Sequence, residues 1–214
     1  MRLVRALYKE HLKGAGLIGR SLALVLIVGT LVLVGLQLRP QNLIGDLETI
    51  SSAALSQATQ KALASPAAYD PDYLIALAEK IAADSSDQDA VALRLVHEAL
   101  ERNPQTPFGW ALVAFLETRL VGELTPAGET ALQTSIDLCR LCDEDLIKWR
   151  LEFVMSYWDV VDEEIRLAVF EGADLLRWWH LDYKYLEDAR ALAEQADIPS
   201  VSYTHLTLPT IYSV

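Results

Sequence analysis

Read only as apolar and polar positions, the chain changes character along its length. From Ser21 to Leu38, eighteen residues, SLALVLIVGTLVLVGLQL, run without a charge. At about 1.5 Å per helical residue they reach across a hydrocarbon core of roughly 30 Å, so the run predicts a transmembrane helix. From residue 46 to residue 196 apolar residues recur at helical spacing in short blocks, parted by polar or proline-bearing stretches. The last fourteen residues, VSYTHLTLPTIYSV, follow neither pattern and hold no Asp, Glu, Lys or Arg.

The blocks predict a succession of helices. Leu47, Ile50, Ala54, Ala58 and Ala62 form a narrow, weakly apolar face, which predicts a stalk helix over 46–64. SPAAYDPDY then brings Pro66 and Pro71 and marks a break. Tyr73, Leu77 and Ile81 make one stripe and Val91, Leu95 and Ala99 the next, with DSSDQD as the turn between two antiparallel helices. Further on, Thr125 is placed to cap a helix with Pro126 at its first position, and Asp162 to cap another. The stripe Trp149, Phe153 and Tyr157 pairs with Ile165, Val169, Gly172, Leu176 and Trp179, which puts Trp179 in the core. Tyr185, Ala189, Leu192 and Ala196 predict a last helix that ends at DIPS.

ALERNPQTPFGW, Ala99 to Trp110, carries a more specific signal. Ala92, Ala99, Pro104, Trp110 and Ala114 occupy the places of the small residues, closing proline and opening aromatic of the tetratricopeptide repeat, a helical hairpin of about 34 residues. The stretch 72–180 resembles that family. Ala76 stands where an earlier opening aromatic is expected, and Trp110 to Trp149 is 39 residues, with VGELTPAG taking up the excess. The resemblance implies a small curved stack whose hairpins bury their faces on one another, with the first helices lining a concave side. It also implies binding of proteins or peptides rather than catalysis, on fold-level analogy alone. A non-repeat helical bundle is the other all-α arrangement compatible with these blocks. The expected fold is therefore all-α: a cytoplasmic flank at 1–20, a transmembrane helix at 21–38, a stalk and linker at 39–71, and a TPR-like helical-hairpin stack at 72–200.

Charge sets the orientation. Residues 1–20 hold Arg2, Arg5, Lys9, Lys13 and Arg20 against Glu10, a surplus of four positive charges that keeps them cytoplasmic. A cleaved signal peptide is the weaker reading, because a long segment precedes the apolar run and GLQLRPQ offers no A-x-A-like site. The net charge of the chain is −12, so residues 40–214 carry −17 on the far side of the membrane. So acidic a domain excludes nucleic acid as an expected partner, since phosphate binding needs clustered Lys and Arg. The expected setting is a bacterial inner membrane, single-pass, with the main domain periplasmic and with protein or peptide partners there.

Few residues carry recognisable chemistry. Cys139 and Cys142, in LCRLCDED, have C-x-x-C spacing, but they fall at a predicted helix C-terminus and precede Asp143, Glu144 and Asp145, all of which disfavour a thiolate. They read as buried helix residues or one structural disulfide. No haem attachment signal or four-ligand zinc set accompanies them. In RWWHLDYKY, Trp178 and Tyr183 are the aromatics not committed to the core, and if exposed they form a partner-binding candidate; His180 reads as a polar neighbour. The chain has no G-x-S-x-G, phosphate loop or H-E-x-x-H. No enzyme activity, cofactor or metal is expected.

Reverse translation of VSYTHLTLPT resembles a transposase adapter used in preparing sequencing libraries. The expectation is that residues 201–214 are adapter-derived and that the native chain continues differently after Ser200. The leading functional expectation is a membrane-anchored periplasmic scaffold for envelope assembly or polysaccharide export. The alternatives are an envelope thiol-disulfide oxidoreductase using the cysteine pair, and a small structural subunit packed through Gly29 and Gly35.

Overall fold

The computed structural model describes residues 44–47, 49–141, 143–180 and 182–198, without the side chains of Leu175 and His180. The flank at 1–20, the apolar run at 21–38, Cys142 and the tail at 201–214 lie outside the described residues. The chain divides into two compact units, residues 1–49 and 50–214. The described part of the first includes a helical turn over 44–47. Among the described residues there is no strand, and no helix is long and apolar enough to cross a membrane.

The second unit begins with α1, Ser52–Ala64. Its start is set by Ser51, whose hydroxyl accepts from Ala54 N at 3.4 Å, a side-chain cap for an otherwise orphaned donor. The helix thus starts later than the apolar spacing predicts. Its buried line is Leu55, Thr59 and Ala62, one residue round from the expected Ala54 and Ala58. Thr59 is tolerated there because its hydroxyl donates back to Leu55 O at 2.8 Å.

Six helices follow as three hairpins: α2 (Pro71–Asp84) with α3 (Asp89–Arg102), α4 (Pro107–Val121) with α5 (Pro126–Leu138), and α6 (Glu144–Ser156) with α7 (Glu163–Leu175). Four of their starts are written in cap chemistry. Asp70 accepts from Asp72 N with Pro71 next, Thr125 from Gly128 N with Pro126 next, Asp143 from Leu146 N, and Asp162 from Glu164 N. Gly122 ends α4 with φ +86°, a left-handed conformation that only glycine adopts without strain.

First helices begin at Pro71, Pro107 and Glu144, and second helices at Asp89, Pro126 and Glu163, so the interval is 36 or 37 residues throughout. The 39-residue spacing read between Trp110 and Trp149 is therefore not the repeat. Trp110 is the fourth residue of its helix and Trp149 the sixth of its own; the position equivalent to Trp110 is Leu74 in α2 and Ile147 in α6. The structure thereby moves the opening position of the first hairpin from Ala76 to Leu74.

Packing follows this register. Leu74, Leu77, Ala78 and Ile81 of α2, Ala92, Leu95, Val96 and Ala99 of α3, and Ala111, Ala114 and Leu116 of α4 are almost fully withdrawn from solvent. Each large aliphatic among them contributes about 1.5–3 kcal/mol of burial. Helices α2, α3 and α4 come close because position 109 is glycine. A Cβ there would sit 2.9 Å from Leu100 Cδ2 and 3.1 Å from Ile75 Cδ1. First helices also touch first helices, α2 with α4 and α4 with α6, and α5 touches α7.

After α7 the chain makes a π-helical turn, Leu176–His180, before α8, Tyr183–Gln195. This turn overturns one expectation. Trp179, placed in the core by continuing the α7 stripe, is 78% exposed, while Leu176 is buried. Bonding from i to i+5 admits an extra residue per turn and carries the following side chains off the stripe. The last helix is also rotated from its expected face: Leu186, Ala189 and Ala193 are buried, whereas Leu192 and Ala196 are exposed.

Candidate functional site

A groove opens on the side formed by the first helices. Glu79, Ala82 and Ala83 of α2, Phe108, Ala111, Leu112, Phe115 and Arg119 of α4, and Trp149 of α6 line it. Phe108, Leu112, Phe115 and Arg119 follow at intervals of four, three and four residues, so they lie along one face of α4. Along that face exposure is mixed: Phe108 is exposed, Phe115 and Arg119 are half-buried, and Leu112 is buried at the groove floor beside Ala111. The volume is about 210 Å³. This lies below the roughly 300–1,000 Å³ usual for small-molecule and cofactor sites, and it suits a large side chain.

The wall continues as an aromatic ladder. Trp149 meets Phe115 edge-on with ring centroids 6.5 Å apart, stacks on Phe153 at 4.9 Å, and Phe153 meets Tyr157 at 5.0 Å. The stripe Trp149, Phe153 and Tyr157 is the one the sequence predicts. Each edge or stack adds a geometric preference beyond area burial and fixes ring orientation.

Two charged groups enter the groove, in unlike circumstances. Arg119 is engaged on every side. Its guanidinium pairs through Nε and Nη2 with Asp89, which is only 2% exposed at the start of α3. Its Nη2 also donates to Ala82 O at 2.9 Å, and its plane lies 4.5 Å from the Phe115 ring centroid. Its charge is neutralised where it stands. Glu79, by contrast, has no ion pair or hydrogen bond among the described residues, and loss of water against the groove wall holds its carboxyl above the usual carboxylate range.

The cysteine region sits elsewhere. Cys139 is the C-cap residue of α5. Beside it lies a residue the sequence reading did not single out. Arg150 of α6, 2% exposed, donates to Ser135 O at 2.5 Å, Ser135 Oγ at 2.8 Å and Cys139 O at 2.8 Å. Ser135 in turn donates to Pro107 O at 2.6 Å, so one relay ties α6 to α5 and to the start of α4. Desolvation pulls the Arg150 pKa down to about 10, which leaves it cationic at neutral pH at the negative end of the α5 dipole. A cation there meets the carbonyls at the end of α5, of which Ser135 O also accepts from Cys139 N at 3.3 Å; its Nε alone lacks a partner.

Trp178 and Tyr183 are exposed, at 66% and 39%, and neither lines the groove. Arg177 lies over the Trp178 ring at 4.8 Å. The side chain of His180 is outside the described residues. The neighbouring helix α8 is tied back by Tyr185, whose hydroxyl donates to Lys148 O at 3.0 Å, and by Lys148 pairing with both Asp182 and Glu144 at 2.6 Å. Those two carboxylates raise the Lys148 pKa to about 12. Burial, followed by the Glu152 charge, raises that of Tyr185. These groups form structural ties rather than an acid–base pair.

Among the described residues no group of three or more His, Cys, Asp and Glu side chains is placed to hold a metal. The groove residues Phe108, Phe115 and Glu79 were not singled out in the sequence. The available signal was an aromatic-rich face on α4 beyond what its core contacts need. Compared with protein-family models, curated proteins and solved structures, the chain matches none.

Proposed function

We propose that the protein is a non-enzymatic scaffold, anchored in a bacterial inner membrane through residues 21–38, whose helical domain on the periplasmic side captures a segment of a partner protein. The process it is proposed to serve is envelope assembly or polysaccharide export. The carrying observation is the groove on the first helices. It is walled by Phe108, Leu112, Phe115 and Trp149 and sized for a side-chain anchor. An apolar recess open to solvent on three separate helices is a recognition feature, because the hairpins have filled their shared core without it. Confinement near the membrane raises the effective concentration of the domain toward other membrane components.

The test is selection of short displayed peptides against the full-length chain in mild detergent. Peptides with aromatic or aliphatic anchors are expected to be enriched. Phe108→Ser, which alters an exposed side chain, is expected to lose them while the far-ultraviolet circular dichroism stays unchanged. Absence of enrichment, or equal retention by Phe108→Ser, would overturn the proposal.

A further inference from the structure

We propose that the groove selects a partner segment bearing a lysine or arginine, whose cation pairs with Glu79 while apolar neighbours in the same segment pack on Phe108, Leu112, Phe115 and Trp149. This rests on the peptide-binding reading above and adds the chemistry of the peptide.

The inference comes from the two charges in the groove. Arg119 is already matched by Asp89, Ala82 O and the Phe115 ring, so it has no call on an anion from a partner. Of the two, Glu79 is the charge with no counterpart among the described residues, and it stands beside an apolar wall. Glu79 is exposed to solvent, yet the part of its carboxylate that faces the groove wall has lost water, which raises its pKa. A cation arriving with the partner restores what the carboxylate has lost, whereas an acid placed beside it is repelled. The wider field has the same sign. Residues 40–214 carry −17, which draws basic segments toward the domain at long range and makes their approach sensitive to salt. Aromatic walls also suit the aliphatic stem of Lys or Arg, which packs on apolar surface while its head reaches a carboxylate.

Synthetic peptide arrays provide the probe. Sets with identical Phe, Leu or Trp anchors carry lysine, norleucine or glutamate at one flanking position, and binding is measured to the full-length chain in detergent. Lysine peptides are expected to bind about tenfold tighter than their norleucine counterparts, the scale of a charge-assisted hydrogen bond, and glutamate peptides weaker than either. Glu79→Gln, which keeps the side-chain shape, is expected to level lysine with norleucine and leave apolar binding intact. Glu79→Lys is expected to reverse the order in favour of glutamate. Equal binding of lysine and norleucine peptides by the unaltered chain, or an undiminished lysine preference in Glu79→Gln, would overturn this inference and leave the peptide-binding reading standing. Failure of every peptide to bind would overturn both.

Discussion

The two junctions between successive hairpins are each fastened by an arginine, in opposite ways. At the first, α3 and α4 pack closely, with Gly109 admitting Leu100 and Ile75, and Arg119 meets a buried carboxylate, Asp89. At the second, α5 and α6 approach less closely, and Arg150 fills the space with its guanidinium turned onto the carbonyls that end α5. One arginine is matched by a charge and the other by neutral dipoles. The difference predicts unequal costs when each is removed, because an abandoned buried charge is a heavier liability than abandoned carbonyls.

The largest effect is expected for Arg119→Met, which strands Asp89 and should lower unfolding free energy by about 3 kcal/mol. Urea denaturation of the full-length chain measures it. Combining it with Asp89→Leu should recover most of the loss, since a buried pair replaced by apolar residues is often close to neutral. A double variant as unstable as the single would break the comparison at its stronger end. Next is Arg150→Met, which leaves carbonyls unsatisfied but no stranded charge, at about 2 kcal/mol. A loss equal to or above that of Arg119→Met would mean that the helix-end contacts outweigh the ion pair.

Gly109→Ala should cost about 1 kcal/mol, because the new Cβ meets the far ends of Leu100 and Ile75, which can shift. The same substitution at Gly122 should cost a comparable amount for a different reason, its φ of +86°. The smallest effect concerns Glu79. A carboxyl whose folded-state pKa is raised makes the folded state hold its proton to higher pH than the unfolded chain does. Ionisation then works against folding. Glu79→Gln should therefore be slightly more stable than the unaltered chain at neutral pH, with the advantage vanishing below the ordinary glutamate range near about 4.3. A loss of stability at neutral pH would contradict the view of Glu79 as a strained, unmatched charge.

The two junctions also differ in how far they could be read from the sequence. The first announces itself in ALERNPQTPFGW, and Ala92, Ala99 and Ala114 are fully buried where the resemblance placed small residues. The second is obscured because the two tryptophans that match in residue type, Trp110 and Trp149, sit at different heights on their helices. In the observed register Arg150 takes the place held by Leu77 in α2 and Val113 in α4, both buried. An arginine at a core position was the signal, visible only with the register in hand. Local chemistry was more legible: Thr125 with Pro126 and Asp162 cap where their residue types predict. Backbone departures were not. Ser51 delays α1 and the π-turn exposes Trp179, and apolar spacing alone carries no trace of either. The groove is a product of packing three helices side by side, so its members, dispersed from Glu79 to Trp149, could not be gathered from spacing.

Hydrogen exchange of the full-length chain, with and without a peptide selected for binding, tests most directly that the first helices form the recognition surface. The expected result is slowed amide exchange in α2 and α4 and at the start of α6, abolished by Phe108→Ser. Protection confined to Leu176–His180 and α8, beside the exposed Trp178 and Tyr183, would contradict it and move the binding surface to the other aromatic cluster.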